Sequence, residues 1–290
     1  LPPPTTTPTP TPTATTTPTT AACLPGAISS WLWQRHVIDT DRPGRATFIF
    51  AFDVDTDGLT DLITGQFWYR NPGDQSASWT RTPIGAPLTD AIAAHDFDGD
   101  GDLDLLGTSG PTSHPDGVWM PFVWARNEGN GGFNVMTNIE NNLPSPMPNN
   151  DPVQGVAIAR FAPGGPLEIA VTWDDTENPI RNPHGIQMLT VPVDPSTGTW
   201  GLRKLSDLSA GEALQAADLD GDGDLDLHIG MTWLRNGHPT AMWTPVTVYT
   251  PESGTPSRIE LADVDGDGDA DAVIGYSHDP EQKVAWYEQI

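Results

Sequence analysis

The sequence predicts an all-β fold for residues 31–290, and three observations predict it. The region consists of short β-prone runs separated by Gly, Pro, Asn and Asp, without long helical periodicity. An Asp-rich segment recurs along it at intervals of 43 to 64 residues, which suits a four-stranded repeat. Each class of strand in the repeat occurs five times. The predicted architecture is therefore a five-bladed β-propeller.

A separate segment, residues 1–30, precedes this region. Thr and Pro make up 18 of the first 20 residues, a composition that cannot bury a core and favours extended chain. We expect a stalk outside the cell, with threonines that are either O-glycosylated or unmodified. The chain has one cysteine, Cys23, which excludes an internal disulfide.

Four copies of the repeat are clear and a fifth is degenerate. The clear copies are AFDVDTDGLTDLITG from Ala51, AHDFDGDGDLDLLG from Ala94, AADLDGDGDLDLHIG from Ala216 and LADVDGDGDADAVIG from Leu261. The degenerate copy, IARFAPGGPLEIAV from Ile158, keeps the hydrophobic pattern but has Arg160, Ala162 and Gly164 in place of aspartates. We predict that this copy binds no metal.

A third and a fourth strand follow each segment. The third strands are QFWYRN from Gln66, FVWARN from Phe122, GIQMLTV from Gly185, MTWLRN from Met231 and VAWYEQ from Val284. The fourth strands begin at Trp79, Phe133, Trp200 and Trp243, and the last repeat lacks one. WQRHVI, from Trp33 to Ile38, matches the missing strand, so we predict that it completes the last blade and closes the ring.

Tryptophans recur at equivalent positions of these strands. They are Trp68, Trp124, Trp233 and Trp286 in third strands, and Trp33, Trp79, Trp200 and Trp243 in fourth strands. This recurrence predicts a role in the core between blades.

The pattern D-x-D-x-D-G-x-x-D predicts calcium loops. Alternate carboxylates converge on one point, glycine permits the tight turn, and hard oxygen ligands suit calcium. The predicted ligands are Asp53, Asp55, Asp57, Leu59 (carbonyl) and Asp61; Asp96, Asp98, Asp100, Asp102 and Asp104; Asp218, Asp220, Asp222, Asp224 and Asp226; Asp263, Asp265, Asp267, Asp269 and Asp271. An EF-hand is excluded because the last acid stands at position nine and β-prone residues follow it. We expect about four structural calcium ions.

These loops, with the W-Y/A/L-R-N strands that follow, resemble the FG-GAP or VCBS repeat family over nearly all of residues 31–290. The resemblance implies extracellular β-propellers with calcium between the first two strands of a blade. The chain departs from the pattern in its third repeat and in having five repeats, where the family usually has seven.

Variable loops at the opposite end of the blades are the candidate ligand surface. They carry His114, Trp119, Trp173, Asp175, Arg181, His184, Tyr276 and His278. The alternative is that these are solvated loop residues without a joint role.

The charge and the motifs limit the function. A net charge of -26 disfavours binding to nucleic acid. The sequence contains no run of 18 apolar residues, so we predict no membrane insertion. No catalytic constellation is recognisable, so we favour a secreted or cell-surface binding module for a carbohydrate. The alternatives are a polysaccharide lyase or sugar dehydratase using His184, Arg181 and Tyr276, and a protein-adhesion or spacer domain. The oligomeric state stays open.

Overall fold

A computed structural model provides the structure of the chain. It describes residues 35–44, 47–74, 76–110, 120–141, 153–173, 185–207, 213–240, 242–248, 255–277 and 284–289. The chain divides into two units, Leu1–Thr40 and Asp41–Ile290, and the predicted stalk, residues 1–30, lies outside the described residues. All of the strands lie in the second unit, and the described residues contain no helix.

The described residues form nineteen strands in five antiparallel sheets, and none of these sheets closes into a barrel. Sheet I contains β1 (Ile49–Phe52), β2 (Asp61–Thr64), β3 (Phe67–Arg70) and β4 (Thr80–Pro83). Sheet II contains β5 (Leu88–His95), β6 (Asp104–Ser109), β7 (Phe122–Asn127) and β8 (Phe133–Met136). Sheet III contains β9 (Val153–Ala159), β10 (Glu168–Trp173), β11 (Ile186–Thr190) and β12 (Gly201–Ser206). Sheet IV contains β13 (Leu214–Ala217), β14 (Asp226–Ile229), β15 (Thr232–Asn236) and β16 (Trp243–Thr247). Sheet V contains β17 (Thr255–Ala262), β18 (Asp271–Ser277) and β19 (Val284–Tyr287).

The sheets are meanders in which each strand pairs with the next along the chain. The predicted repeat is therefore confirmed as five antiparallel units. In each unit the connection between the first and second strands lies at one end, and the connection between the second and third strands lies at the other. The Asp-rich loops occupy the first of these ends.

Consecutive sheets pack face to face through four apolar clusters. Leu88 and Leu105 of sheet II lie in a cluster with Ile63 of sheet I. Further clusters join sheets II and III, sheets III and IV, and sheets IV and V. Sheet II is covered on both faces, which explains why β6 and β7 are buried at nearly every position.

Sheets II and III share the largest aromatic contact. Trp200 packs on Phe97 and Trp124, with ring centroids 5.1 and 5.3 Å apart. The chain after β8 forms a parallel bridge between Ile139 and Trp200. Asn138 accepts a bond from Trp124 Nε1 and donates to the carbonyl of Pro195. These contacts link the two sheets along their outer strands.

The tryptophan prediction is confirmed for some positions and wrong for one. Trp124 and Trp200 are fully buried and Trp68 is nearly so. Trp79, Trp233 and Trp243 are partly buried. Trp286, in contrast, is 46% exposed, because β19 is the last strand of its sheet.

Sheet V has three strands, since the predicted closing strand is not formed over its described part. Residues 35–40 form no strand, whereas Trp33 and Gln34 lie outside the described residues. The apolar residues that predicted the strand, Val37 and Ile38, are exposed. A strand needs both a hydrogen-bonding neighbour and a buried face, and an exposed apolar pair supplies no buried face.

Candidate metal centres

Four Asp-rich loops connect the first and second strands of sheets I, II, IV and V. In each loop three carboxylates offer oxygens within 4.8 Å of one another. The sets are Asp53, Asp55 and Asp57; Asp96, Asp98 and Asp104; Asp218, Asp220 and Asp226; and Asp263, Asp265 and Asp271. Three converging carboxylates form the oxygen-rich, anionic site that calcium prefers.

The first aspartate of each loop shapes the turn. Asp53 accepts bonds from the backbone N–H groups of Asp57 and Gly58 at 3.1 and 2.8 Å. Asp96 accepts bonds from the backbone N–H groups of Gly99 and Gly101 at 2.7 and 3.1 Å. The turn that recurs in these loops needs a left-handed residue at the sixth loop position, where Gly101 has φ 100°.

The last aspartate of each loop is fully buried and joins the loop to the third strand. Asp104 Oδ2 accepts the N–H of Phe97, and its Oδ1 accepts the N–H of Asn127, at 3.0 and 2.8 Å. Asp226 makes the same two bonds to Leu219 and Asn236. Asp61 and Asp271 repeat this arrangement in sheets I and V. This carboxylate therefore fixes the shape of the site as well as contributing charge.

Burial changes the acidity of these carboxyl groups. Desolvation raises the pKa of Asp104 to about 7, although backbone bonds from Asn127 and Phe97 oppose the shift. Desolvation also raises the pKa of Asp226. The bond from Gln289 lowers the pKa of Asp271. A bound cation favours the ionised form, because opposite charge lowers the pKa of a carboxyl group.

Charge crowding is visible in the middle of the loops. The pKa of Asp98 is raised by desolvation and then by repulsion from Asp100. The pKa of Asp269 is raised by desolvation and then by Asp267. Both shifts are relieved when a cation binds between the carboxylates.

One orphaned atom tests whether a metal fits these loops. The Asp55 side chain is 9% exposed and its Oδ2 pairs with Arg70. Its Oδ1 is buried without a hydrogen-bond partner. A buried oxygen without a partner is costly, and a cation held together with Asp53 and Asp57 would satisfy it. The residues present therefore fit calcium.

The predicted ligands divide into those that converge and those that do not. Asp61, Asp100, Asp222 and Asp267 lie outside the three-carboxylate sets of their loops. So do Asp102, Asp224 and Asp269. The N–H of Leu59 donates to Asp57 Oδ1 at 2.9 Å. Asp100 and Asp222 accept the backbone bonds of the following aspartates, so they organise the turn.

The degenerate loop of sheet III is closed by other means. Arg160 donates to the carbonyl of Gly165 at 2.6 Å, and Gly165 donates to the carbonyl of Ala162. Glu168 stands where the other loops have their last aspartate and pairs with Arg203 at 3.2 Å. The guanidinium of Arg203 therefore lies beside the carboxylate of Glu168.

An amide at the end of the third strand was not predicted from the sequence as functional. Asn127 of sheet II donates to the carbonyl of Val54 in the loop of sheet I at 3.2 Å. Asn236 of sheet IV donates to Phe161 of sheet III, and Gln289 of sheet V donates to Leu219 of sheet IV. The Asn in the W-x-R-N motif was the available signal. We call Asn127, Asn236 and Gln289 the inter-sheet amides.

Most of the predicted ligand-binding residues lie outside the described residues. These are His114, Trp119, Asp175, Arg181, His184 and His278. Trp173 is described and is 3% exposed, packing on Phe122. Its indole therefore belongs to the core and does not face a ligand. Tyr276 is half-buried, and its hydroxyl contacts that of Tyr287 and the sulfur of Met231.

Comparisons with known proteins yield no family. No protein-family model matches the chain, and no curated protein matches it. The chain is similar to the rhamnogalacturonan lyase YesW, with TM-score 0.49 and 15% identity, over 88% of this chain and 53% of that chain. It is similar to the exotype rhamnogalacturonan lyase YesX, with TM-score 0.49 and 12% identity, over 83% of this chain and 47% of that chain. It is also similar to a Bacillus licheniformis rhamnogalacturonan lyase, PL11, with TM-score 0.47 and 12% identity, over 83% of this chain and 48% of that chain.

The chain spans about half the length of these structures. Likenesses of this size do not show which activity the chain has. Separately, the described residues contain no helix of the length and apolarity that crossing a membrane requires.

Proposed function

We propose that the chain is a secreted, calcium-stabilised binding module of the FG-GAP or VCBS type. The observation that carries the proposal is the recurrence of an Asp-rich loop in four of the five sheets, with three converging carboxylates in each. Four repeats of clustered like charge are costly when empty, and calcium offsets this charge. The calcium ligands would be the aspartates of these sets, with the buried last aspartates shaping the loops.

We further propose that the five sheets close into a five-bladed propeller. Four successive interfaces between sheets support this, together with the missing fourth strand of sheet V. Asn71 stands where the other units have their inter-sheet amides and donates to Thr60 of its own loop. In the closed ring its second donor would reach the carbonyl of Val264 in sheet V.

The proposed ligand surface lies at the end of the sheets opposite the calcium loops. The connections over residues 110–121, 174–185 and 278–283 start and finish at that end, whereas residues 65–66 and 230–231 suffice for sheets I and IV. Long connections on a rigid scaffold are where binding residues concentrate. A carbohydrate is the proposed ligand, by analogy with the repeats that the loops resemble. Calcium is proposed to act on the fold rather than on the ligand.

The test is a glycan-array screen of the full chain, first in calcium and then with a chelator. We expect specific binding in calcium that is lost when the chelator loosens the scaffold. A blank array with a folded, calcium-loaded protein would overturn the carbohydrate proposal. Turnover of a polysaccharide by the same preparation, abolished in His184→Ala, would replace the binding module with an enzyme.

A further inference from the structure

The four sheets with Asp-rich loops do not all have the same charge at one position at the end of the third strand. This position directly precedes the residue whose N–H binds the last aspartate of the loop. It is Arg70 in sheet I, Arg126 in sheet II, Arg235 in sheet IV and Glu288 in sheet V. The four loops therefore present different electrostatic environments to a cation.

In sheets I and IV the arginine is an internal counterion of the loop. Arg70 Nε lies 2.6 Å from Asp55 Oδ2, and its Nη2 lies 3.1 Å from Asp57 Oδ2. In sheet IV, Arg235 Nε lies 2.5 Å from Asp220 Oδ2, and its Nη2 lies 3.8 Å from Asp222. Asp55 and Asp220 both belong to the converging sets. A positive charge is thus fixed against a calcium ligand in both loops.

In sheet II the arginine pairs with an acid outside the loop, while Asp98 and Asp100 remain within its electrostatic reach. Arg126 donates through Nε and Nη2 to the same oxygen of Glu128, at 3.0 and 2.6 Å. Sheets I and IV have Pro72 and Gly237 where sheet II has Glu128. The competing acid is therefore specific to sheet II among these three sheets.

In sheet V the charge at this position is reversed. Glu288 replaces the arginine, and the loop itself contains five aspartates, from Asp263 to Asp271. The loop of sheet I, in contrast, contains four aspartates and faces Arg70. The negative charge available to a cation is greatest in sheet V and smallest in sheet I.

We propose that this position divides the four calcium loops into two affinity classes, with tight sites in sheets II and V and weaker sites in sheets I and IV. The proposal rests on the calcium binding proposed above. A guanidinium beside a ligand repels the incoming dication and competes for the carboxylate, which lowers affinity by about tenfold at an effective dielectric near that of water. Arg70 and Arg235 act on affinity through the aspartates and are positioning residues rather than ligands.

The arrangement also has a consequence for the calcium-free protein. Arg70 and Arg235 compensate the carboxylates of their loops when calcium is absent, so these loops keep part of their charge balance. The loops of sheets II and V depend more strongly on the ion. Calcium therefore fills sheets II and V first and leaves them last.

The experiment is a calorimetric calcium titration of the chelator-stripped full chain at low salt. Wild type should titrate in two phases of comparable stoichiometry. Arg70→Gln combined with Arg235→Gln should move the weak phase about tenfold towards the tight one, because each substitution removes a repelling charge. Arg203→Gln is the matched control, since it removes an arginine paired with an acid in sheet III, where no Asp set lies. It should leave both phases unchanged.

The reverse variants test the tight class. Glu128→Gln releases Arg126 towards the loop of sheet II, and Glu288→Arg gives sheet V the residue that sheets I and IV have. Each should shift half of the tight phase to about tenfold weaker binding. Circular dichroism in saturating calcium checks that every variant is folded.

The outcomes separate this inference from the proposed function. If stripped wild type takes up no calcium, the proposed calcium scaffold is wrong and this inference fails with it. If calcium binds in a single phase, or if the Arg70 and Arg235 variant titrates like Arg203→Gln, the two-class inference alone is wrong.

Discussion

At the residue scale, the last aspartate of each loop is the most constrained side chain of the site. Asp226 is fully buried and accepts backbone bonds at 3.1 Å from Leu219 and 2.7 Å from Asn236. These bonds tie the start of the loop to the end of β15. The residue therefore serves the fold even where calcium is absent.

Asp226→Asn tests this role. One carboxylate oxygen becomes an amide NH2 group, which donates and cannot accept, so a buried N–H loses its partner at a cost of about 1–3 kcal/mol. We expect the free energy of unfolding in urea to fall by this amount in calcium-free buffer, where lost calcium binding at this proposed ligand does not contribute. Asp207→Asn, at a side chain that is 93% exposed, is the control and should be neutral. Equal stability of the two variants would contradict the role of Asp226.

His228 is the one histidine among the described residues that lies fully inside the core. It is 2% exposed, and its cross-strand neighbours are Gln215 and Trp233. Burial lowers its pKa to about 4, well below the ordinary value of 6.5. The corresponding residue of sheet II is Leu106, so an apolar side chain suits the site.

The depressed pKa of His228 predicts a loss of stability in acid. The folded state keeps the imidazole neutral, so the unfolded chain binds the extra proton between pH 6.5 and about 4. Stability is full above pH 6.5 and decreases as pH falls, by about 2 kcal/mol between pH 7.5 and 5. Urea unfolding in saturating calcium measures it. His228→Leu should remove most of this decrease, and an unchanged pH profile in that variant would contradict the assignment.

At the scale of elements, the inter-sheet amides connect the first loops of sheets I, III and IV to the sheet that follows each of them. Asn236 is 5% exposed and donates to Phe161 of sheet III at 2.9 Å and to Leu225 of its own loop at 3.2 Å. Asn127 makes the equivalent pair of bonds in sheet II. The amide thus joins a loop, the adjoining strand and the preceding sheet.

Asn236→Ala should destabilise the interface between sheets III and IV. Loss of the amide removes the side-chain bonds to two carbonyls, at about 1–3 kcal/mol in urea unfolding. The control is Asn134→Ala, because Asn134 is an exposed asparagine on a strand. Native-state hydrogen exchange should show the loss concentrated in sheets III and IV. A uniform or absent effect would mean that the bond is not a specific connection.

In the described part of the chain, the interface between sheets II and III lacks the bond that an inter-sheet amide makes. Val191 occupies the position of the amide in sheet III, and its N–H donates to the carbonyl of Leu167 at 2.9 Å. The Phe97, Trp124 and Trp200 cluster and the bridge at Ile139 hold this interface instead. The sheet with the degenerate loop is therefore attached to sheet II through apolar contacts, the backbone bridge and the side-chain bonds of Asn138.

At the scale of the whole molecule, the proposed calcium sites stabilise the unit Asp41–Ile290 by mass action. Each site occupied at 100 times its dissociation constant adds about 2.7 kcal/mol. Chelation should therefore lower Tm by at least about 10 °C. Differential scanning calorimetry measures the change, and re-addition of calcium should restore the original Tm. A Tm that is insensitive to the chelator would contradict structural calcium.

The repeat was predictable from sequence because its signals are local. Alternating aspartates, the turn glycine and the β-prone residues that follow are all within one short segment, so five antiparallel units and four acidic loops could be located directly. The strands containing Trp68, Trp124 and Trp233 were also located correctly, since their pattern recurs. The fourth strand of sheet V was predicted from WQRHVI, a segment far away in the chain, and residues 35–40 form no strand.

Only the tertiary structure decided which of these residues act together. The sequence by itself determined the all-β class, the repeat and the Asp-rich loops, since each depends on neighbours along the chain. It could not determine that Trp173 is buried against Phe122, or that Asn236 reaches the carbonyl of Phe161. Those contacts join residues about 50 to 75 positions apart, and they depend on how one sheet packs against the next.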